Sequence, residues 1–231
     1  MLILVPSPLS QQEATMPLLA ADLPKVQACN TWVVENAKPA RAALGLFKMP
    51  KPLRELALHE IGTLDHAAKV TLLERAKAGE PIGLLSDAGC PGVADPGSEL
   101  VQMAHEMGCA VHPLVGPSSI LLALMASGLN GQQFKFNGYL PVDATDRDNW
   151  IKRSEQESRV QQCTQIVIET PFRNERLLEA LCKTLQGNTR LCLAWDLTGP
   201  GETIISQTVA HWRNNPKAPG KQPCIFMWLA S

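Results

Sequence analysis

The sequence predicts a two-domain α/β protein, with a mainly parallel sheet in its first half, a mixed sheet in its second, and helices flanking both. Three observations carry this. Short apolar, β-rich runs alternate with helical patterns up to Gly128, as in parallel strands joined by crossover helices. Beyond Gly128 the chain turns strand-rich, with hairpin-like connections. Hydrophobic residues make up 45% of 231, enough for a sizeable core and against disorder.

In the first half, Leu2–Val5, Thr31–Val34, Ile82–Ser86 and Ala110–Leu114 read as strands. Leu53–Leu58 is a weaker strand, interrupted by Arg54 and Glu55. Residues 64–78, 97–107 and 117–127 read as helices. Leu64, Ala67, Ala68, Leu72 and Ala76 place one apolar stripe on the first of these. After Gly128, "LNGQQ" reads as a linker. Strands follow at Phe134–Gly138, Gln165–Glu169, Arg190–Ala194, Glu202–Val209 and Cys224–Leu229. Helices are expected around Asp146–Gln161, at Asn174–Leu185 and briefly at 208–213, before a Pro/Gly/Lys loop at 214–223. The domains are placed at 1–115 and 116–231, with a ligand cleft expected where they join.

The net charge of −1 gives no global attraction to nucleic acid or to an anionic membrane. The apolar stretches Leu2–Val5 and Ile120–Ala126 are too short to span a bilayer. A soluble, cytoplasmic protein with no membrane or DNA partner is expected. The seven cysteines form no CxxC pair and no zinc-spaced Cys/His cluster. They read as buried thiols in a reducing compartment.

The loudest stretch is "LLSDAGCPGVADPG", residues 84–97. Ser86 and Asp87 end a central strand, where open α/β sheets place ligands. Gly89 and Gly92 let the backbone turn or approach a ligand closely. Pro91 and Pro96 stiffen the loop, so less conformational entropy is lost on binding. Asp95 is expected as the N-cap of the next helix, with Pro96 at its first position. A tight turn would need two or three such residues, not a stiff loop this long. A second junction, "PLVGPSSILLALMASG" at 113–128, breaks at Gly116-Pro117 and opens a helix at Ser118-Ser119. Ser118 is either an N-cap or part of an anion-binding helix start. The sequence has no GxxxxGK[ST], no GxGxxG after the first strand and no GxSxG, which removes support for a P-loop, a dinucleotide site or a serine hydrolase.

These motifs resemble the tetrapyrrole methylase superfamily, the class III S-adenosylmethionine-dependent methyltransferases. The resemblance is closest to the branch that methylates a ribose 2′-hydroxyl of 16S ribosomal RNA. That branch carries S-D-A-G-T-P-x-x-x-D-P-G, and Ser86–Gly97 reads S-D-A-G-C-P-G-V-A-D-P-G. Its P-L-P-G-P element is matched by Pro113–Pro117. Its F-x-x-x-G-F-L-P is matched by Phe134–Pro141, and its Y-E strand end by "IVIETPFRNERLLEAL" with Glu169 and Arg173. Asp196–Gly199 and Glu202-Thr203 echo an E-L-T-K…E-T segment. Departures are equally plain. The opening P-T-x-G-N-L-x-D has become Pro6–Glu13 without its Gly, Asn and Asp. E-D-T-R has become Glu35-Asn36-Ala37-Lys38, T-K has become Thr198-Gly199, and a closing K-G-E has become Lys221-Gln222-Pro223.

The resemblance implies two α/β domains, S-adenosylmethionine bound in the cleft between them, and a homodimer. It implies that Ser86 binds the donor and that Asp87, Ala88, Gly89 and Cys90 line the methionine and ribose side. Gly116, Pro117, Ser118 and Ser119 would contact the donor, Pro6 would border it, and Leu197 would close over the adenine. Methyl transfer needs a nucleophile in line with the methyl at about 3 Å, so positioning supplies most of the rate. A ribose hydroxyl also needs a base or a stabilising cation. By resemblance the candidates are Glu35, Lys38, His59, Glu60, His66, Glu169 and Arg173. Glu169 and Arg173 also read as a local ion pair. RNA is the implied substrate; a small tetrapyrrole-like acceptor and a donor-binding protein without catalysis are the alternatives. Arg147, Lys152, Arg153 and Arg159 are interleaved with acids and read as a solvated helix face.

Overall fold

The computed structural model describes residues 1–10, 12 and 15–231. Gln11 and Glu13 of the altered opening motif lie outside the described residues. The chain divides into two compact units, Met1–Ser118 and Ser119–Ser231, each built on a five-stranded sheet.

The first sheet contains β1 (Leu2–Val5), β2 (Thr31–Val34), β3 (Ala57–Glu60), β4 (Ile82–Leu85) and β5 (Val111–Pro113). Their order is β3-β2-β4-β1-β5 and every pairing is parallel. Four helices lie between them: α1 (Leu23–Gln27), α2 (Ala37–Leu46), α3 (His66–Lys77) and α4 (Ser98–Glu106). Alternate strand residues feed two separate cores. Ile3, Val5, Trp32 and Val34 pack with Val26, Leu44 and Phe47. Leu2, Val33, Ile82 and Leu84 pack with Leu72, Leu73 and Leu100. Burial on both faces is why these strands read as continuous apolar runs. Gly83 serves this packing directly: a Cβ there would lie 2.4 Å from the Trp32 ring.

Several expected elements shift. Leu53–Glu55 is a 3-10 turn rather than strand, because Pro52 starts a turn whose carbonyl accepts from Glu55 N at 2.9 Å. Strand pairing begins only at Ala57, whose N donates to Asn30 O at 2.9 Å. Helix α2 carries Pro39 in its first turn, where a missing N–H is harmless, and buries Ala40, Ala43 and Leu44. Helix α3 is capped by Asp65, which accepts from Ala68 N at 2.8 Å. Its buried residues are Leu72, Leu73 and Ala76, while Ala67 is exposed. Asp95 is not a helix cap: Gly97, at φ 132°, occupies that position before α4.

In the second unit, α5 (Ser119–Ser127) packs on its sheet beside β8 (Arg190–Trp195), β9 (Thr203–Thr208) and β10 (Cys224–Leu229). The sheet order is β6-β7-β10-β8-β9, with β6 (Phe134–Tyr139) and β7 (Thr164–Glu169) at one side. β6 and β7 are parallel and the other pairs antiparallel. Helices α6 (Ala144–Gln161), α7 (Asn174–Thr184) and α8 (Val209–Asn214) complete the unit. Its core joins Ile151, Val167, Leu181, Leu193, Trp212, Phe226 and Trp228. Buried Glu155 is satisfied by Gln186 N at 2.7 Å and by the Thr189 hydroxyl. Residues 129–133 lie inside this unit, where Asn130 Nδ2 donates to Gln162 O at 2.6 Å. All seven cysteines are unbridged, five of them buried. No helix among the described residues is long and apolar enough to cross a membrane.

Candidate functional site

The parallel strands of the first sheet put all their carboxyl ends on one edge. The chain leaves β1 for β2, passing β4, and leaves β4 for β5, passing β1. The two connections diverge from the central β4–β1 pair, the position at which open α/β sheets hold ligands.

At this point the loop after β1 and the loop after β4 are joined by main chain. Ser7 N donates to Gly89 O at 2.8 Å, and Gly89 N donates to Ser7 O at 3.1 Å. The buried Ser7 hydroxyl donates to Ser86 O at 2.6 Å. Ser86 Oγ in turn reaches Ala88 O and Gly89 O, each at 3.3 Å. Gly89 sits at φ 72°, a left-handed conformation that favours glycine. The third loop closes on the same spot. Cys90 Sγ donates to Pro117 O at 3.3 Å. A Cβ on Gly116 would stand 2.3 Å from Pro6 Cβ, so the Gly116 backbone lies directly against the proline ring.

The carboxylates of this edge gather around the same loop. Glu35, just past β2, accepts from Asp87 N at 3.2 Å. Asp87 accepts from Asn36 N at 3.2 Å and from Asn36 Nδ2 at 2.6 Å. Glu60, at the end of β3, accepts from Ala37 N at 2.8 Å. Asp95 is pushed up to about 6, first by burial and then by the nearby charge of Glu35, against the lowering hydrogen bond of Ser86. Burial raises the Cys90 thiol, with Asp95 adding to it.

Eight of the expected donor-side residues therefore meet in the first unit: Pro6, Ser86, Asp87, Ala88, Gly89, Cys90, Gly116 and Pro117. Glu35 joins them, and Ser118 follows directly. Lys38 is exposed in the first turn of α2, and His59 is half-buried on β3 beside Glu60. Ser119, Leu197, Glu169 and Arg173 belong to the second unit. There Glu169 Oε1 accepts from Arg173 Nη2 at 2.6 Å and from Thr170 N at 2.6 Å. Leu197 is buried in a tight segment flanked by Asp196 (φ 50°) and Thr198 (φ 64°). Asp196 Oδ2 accepts from Gly201 N at 2.8 Å. A Cβ on Gly199 would lie 2.3 Å from Asp196 Oδ1, so glycine at 199 is what this carboxylate requires.

Sequence reasoning passed over Ser7, Asn36 and Asp95 as site residues. Ser7 and Asn36 stood in segments marked as departures, and Asp95 was assigned a capping role. The one available signal was their position after the first, second and fourth strands.

The chain matches the model of the tetrapyrrole (corrin/porphyrin) methylases over residues 25–212. It belongs to that family. Among relatives of this family member, ribosomal RNA small subunit methyltransferase I of Xylella fastidiosa is 34% identical over 177 residues, 76% of this chain and 62% of the relative. The protein of the same name from Bacillus subtilis is 31% identical over 224 residues, 95% of this chain and 72% of the relative. The chain thus spans less than two thirds of the Xylella protein's length. Two solved structures share the methylase fold. Uroporphyrin-III-C-methyltransferase from Thermus thermophilus has a TM-score of 0.57 at 18% identity, covering 99% of this chain and 91% of its own. The methyltransferase CobJ has a TM-score of 0.59 at 16% identity, covering 93% and 94%.

Proposed function

We propose that this chain is an S-adenosylmethionine-dependent methyltransferase acting on a ribose 2′-hydroxyl of small-subunit ribosomal RNA. The observation that carries the donor half is the knitted loop Ser86–Gly97 at the β4–β1 switch point. Its residues suit the group. Glu35, Asp87 and Asp95 supply negative charge, and S-adenosylmethionine carries a sulfonium and an ammonium against one carboxylate. The RNA half rests on the relatives named above, each a ribosomal RNA methyltransferase.

When bound, the donor supplies an electrophilic methyl group. The chain's task is to hold it and to place the acceptor oxygen in line, which is where most of the rate arises. Glu35 and Glu169 accept hydrogen bonds that order their own loops, which supports positioning roles. Lys38 and His59 are the groups assigned to the acceptor hydroxyl, as stabilising cation and as base. In this reading the chain works as a cytoplasmic homodimer.

Calorimetric titration with S-adenosylmethionine and S-adenosylhomocysteine tests the donor site. Micromolar binding, about −8 kcal/mol, should weaken in Asp87→Ala and Ser118→Ala. Methyl transfer to small ribosomal subunits tests the acceptor. Donor binding with no transfer to RNA would leave only a methyltransferase of another substrate or a donor-binding protein.

A further inference from the structure

The second unit carries exposed rings and cations on one edge of its sheet. Glu169 pairs with Cys224, and Cys224 with Trp195, so the ends of β7 and β8 and the start of β10 meet there. Phe172, just after β7, is 80% exposed. Lys221 Nζ lies 5.5 Å from its ring centroid. Lys217 Nζ lies 5.8 Å from the Trp195 ring. On the neighbouring parallel strand, β6 ends at Tyr139, itself exposed.

This pair is held in place. Asn174, fully buried at the start of α7, donates through Nδ2 to Gly220 O at 3.0 Å and to Gln222 O at 2.8 Å. Those carbonyls flank Lys221, and Phe172 lies two residues before Asn174. One buried amide thus ties ring and ammonium to the same helix start. Of the carboxylates of this edge, Glu169 is neutralised by Arg173, while Asp196 and Glu202 accept from Gly201 N and from Thr198 N at 2.7 Å and keep their charge, as does exposed Glu175 in the first turn of α7. Of the two lysines, Lys221 alone sets a cation beside an open ring, so a phosphate next to a stacked base would meet it there.

We propose that Phe172 and Lys221 form a station for single-stranded RNA, Phe172 stacking a base and Lys221 binding a flanking phosphate. The station rests on the RNA reading above and adds the residues that grip the strand. Aromatic stacking accepts any base, and cations beside the ring follow the backbone. Unpaired RNA offers the splayed bases this needs. A protein partner would ask instead for a contiguous apolar patch, and here the ring is bordered by charge.

The test is fluorescence anisotropy with a short, dye-labelled single-stranded RNA of mixed sequence and the full chain loaded with S-adenosylhomocysteine. Phe172→Ala should weaken binding roughly tenfold or more. Phe172→Trp should hold or tighten it, which a merely structural ring would not predict. Lys221→Gln should reduce the salt slope of log affinity by about 0.7. Melting temperature and S-adenosylhomocysteine affinity should stay at the wild-type values. Unchanged affinity and slope in all variants, with wild type bound, would remove the station and leave the RNA reading standing. Absence of RNA binding by wild type that still binds S-adenosylhomocysteine would remove both.

Discussion

Asp95 carries its charge where burial and Glu35 both oppose it. Its folded-state value of about 6 stands above the ordinary 3.8. The stabilising contribution is therefore fully present below the ordinary value and lost as pH rises through about 6. Asp95→Asn should flatten the fall in melting temperature across that window, raising it near neutral pH and leaving it unchanged in acid. The same carboxylate should favour a cationic donor. S-adenosylmethionine should bind wild type more tightly above pH 6 than below it, and a calorimetric pH series on Asp95→Asn should lose that trend. Asn36 makes a related point. As a departure from the family's E-D-T-R it reads as drift, yet its amide holds Asp87. Asn36→Ala should cost about 1 kcal/mol in urea unfolding, with a parallel loss of donor affinity. No local rule in the sequence says that an amide at 36 meets a carboxylate at 87, because the partner arrives through β2–β4 pairing.

At the scale of elements, the central strands depend on one small residue. Gly83 on β4 faces the Trp32 ring across the β2–β4 pair. Gly83→Ala should destabilise the first unit by roughly 1–3 kcal/mol, in the range of overpacked cores, and Trp32→Phe in the same chain should recover part of it. Gly116→Ala should show the same kind of clash nearer the site, because the rigid Pro6 ring cannot yield. Donor affinity, read by calorimetry, should fall further than the melting temperature. The buried strands of the first sheet were legible because both faces are covered and nearly every position is apolar, Thr31 excepted. The segment 53–60 was not: Leu53 and Leu56 look like strand residues, but Pro52 sets a turn first. Helix α2 was hidden by its small, weakly patterned stripe of alanines. The knitting of Ser7 to Gly89 joins two loops far apart in sequence, and no local pattern announces it.

At the scale of the whole molecule, the two units each own a sheet and a core. A fragment of residues 119–231 should therefore fold alone, giving a cooperative thermal transition and native-like circular dichroism. Multiple transitions in the full chain would agree with this. With a net charge of −1, the proposed RNA binding has to come from local cations, and its salt dependence should report few phosphate contacts. The loop Ser86–Gly97 stood out by its Gly and Pro spacing; the lysine-bearing edge did not, since Lys217 and Lys221 look like ordinary loop residues until β10 brings them beside rings. One further consequence lies in the order of assembly. Strand β1 pairs with β4 and β5, both made much later on the ribosome. The Leu-Ile-Leu-Val ribbon must wait, unpaired and apolar, while the intervening strands and helices are synthesised. Long-range pairing of this kind is slow and exposed to aggregation, so the strand pair around which the proposed donor loop is built is also a step of folding that a chaperone would help.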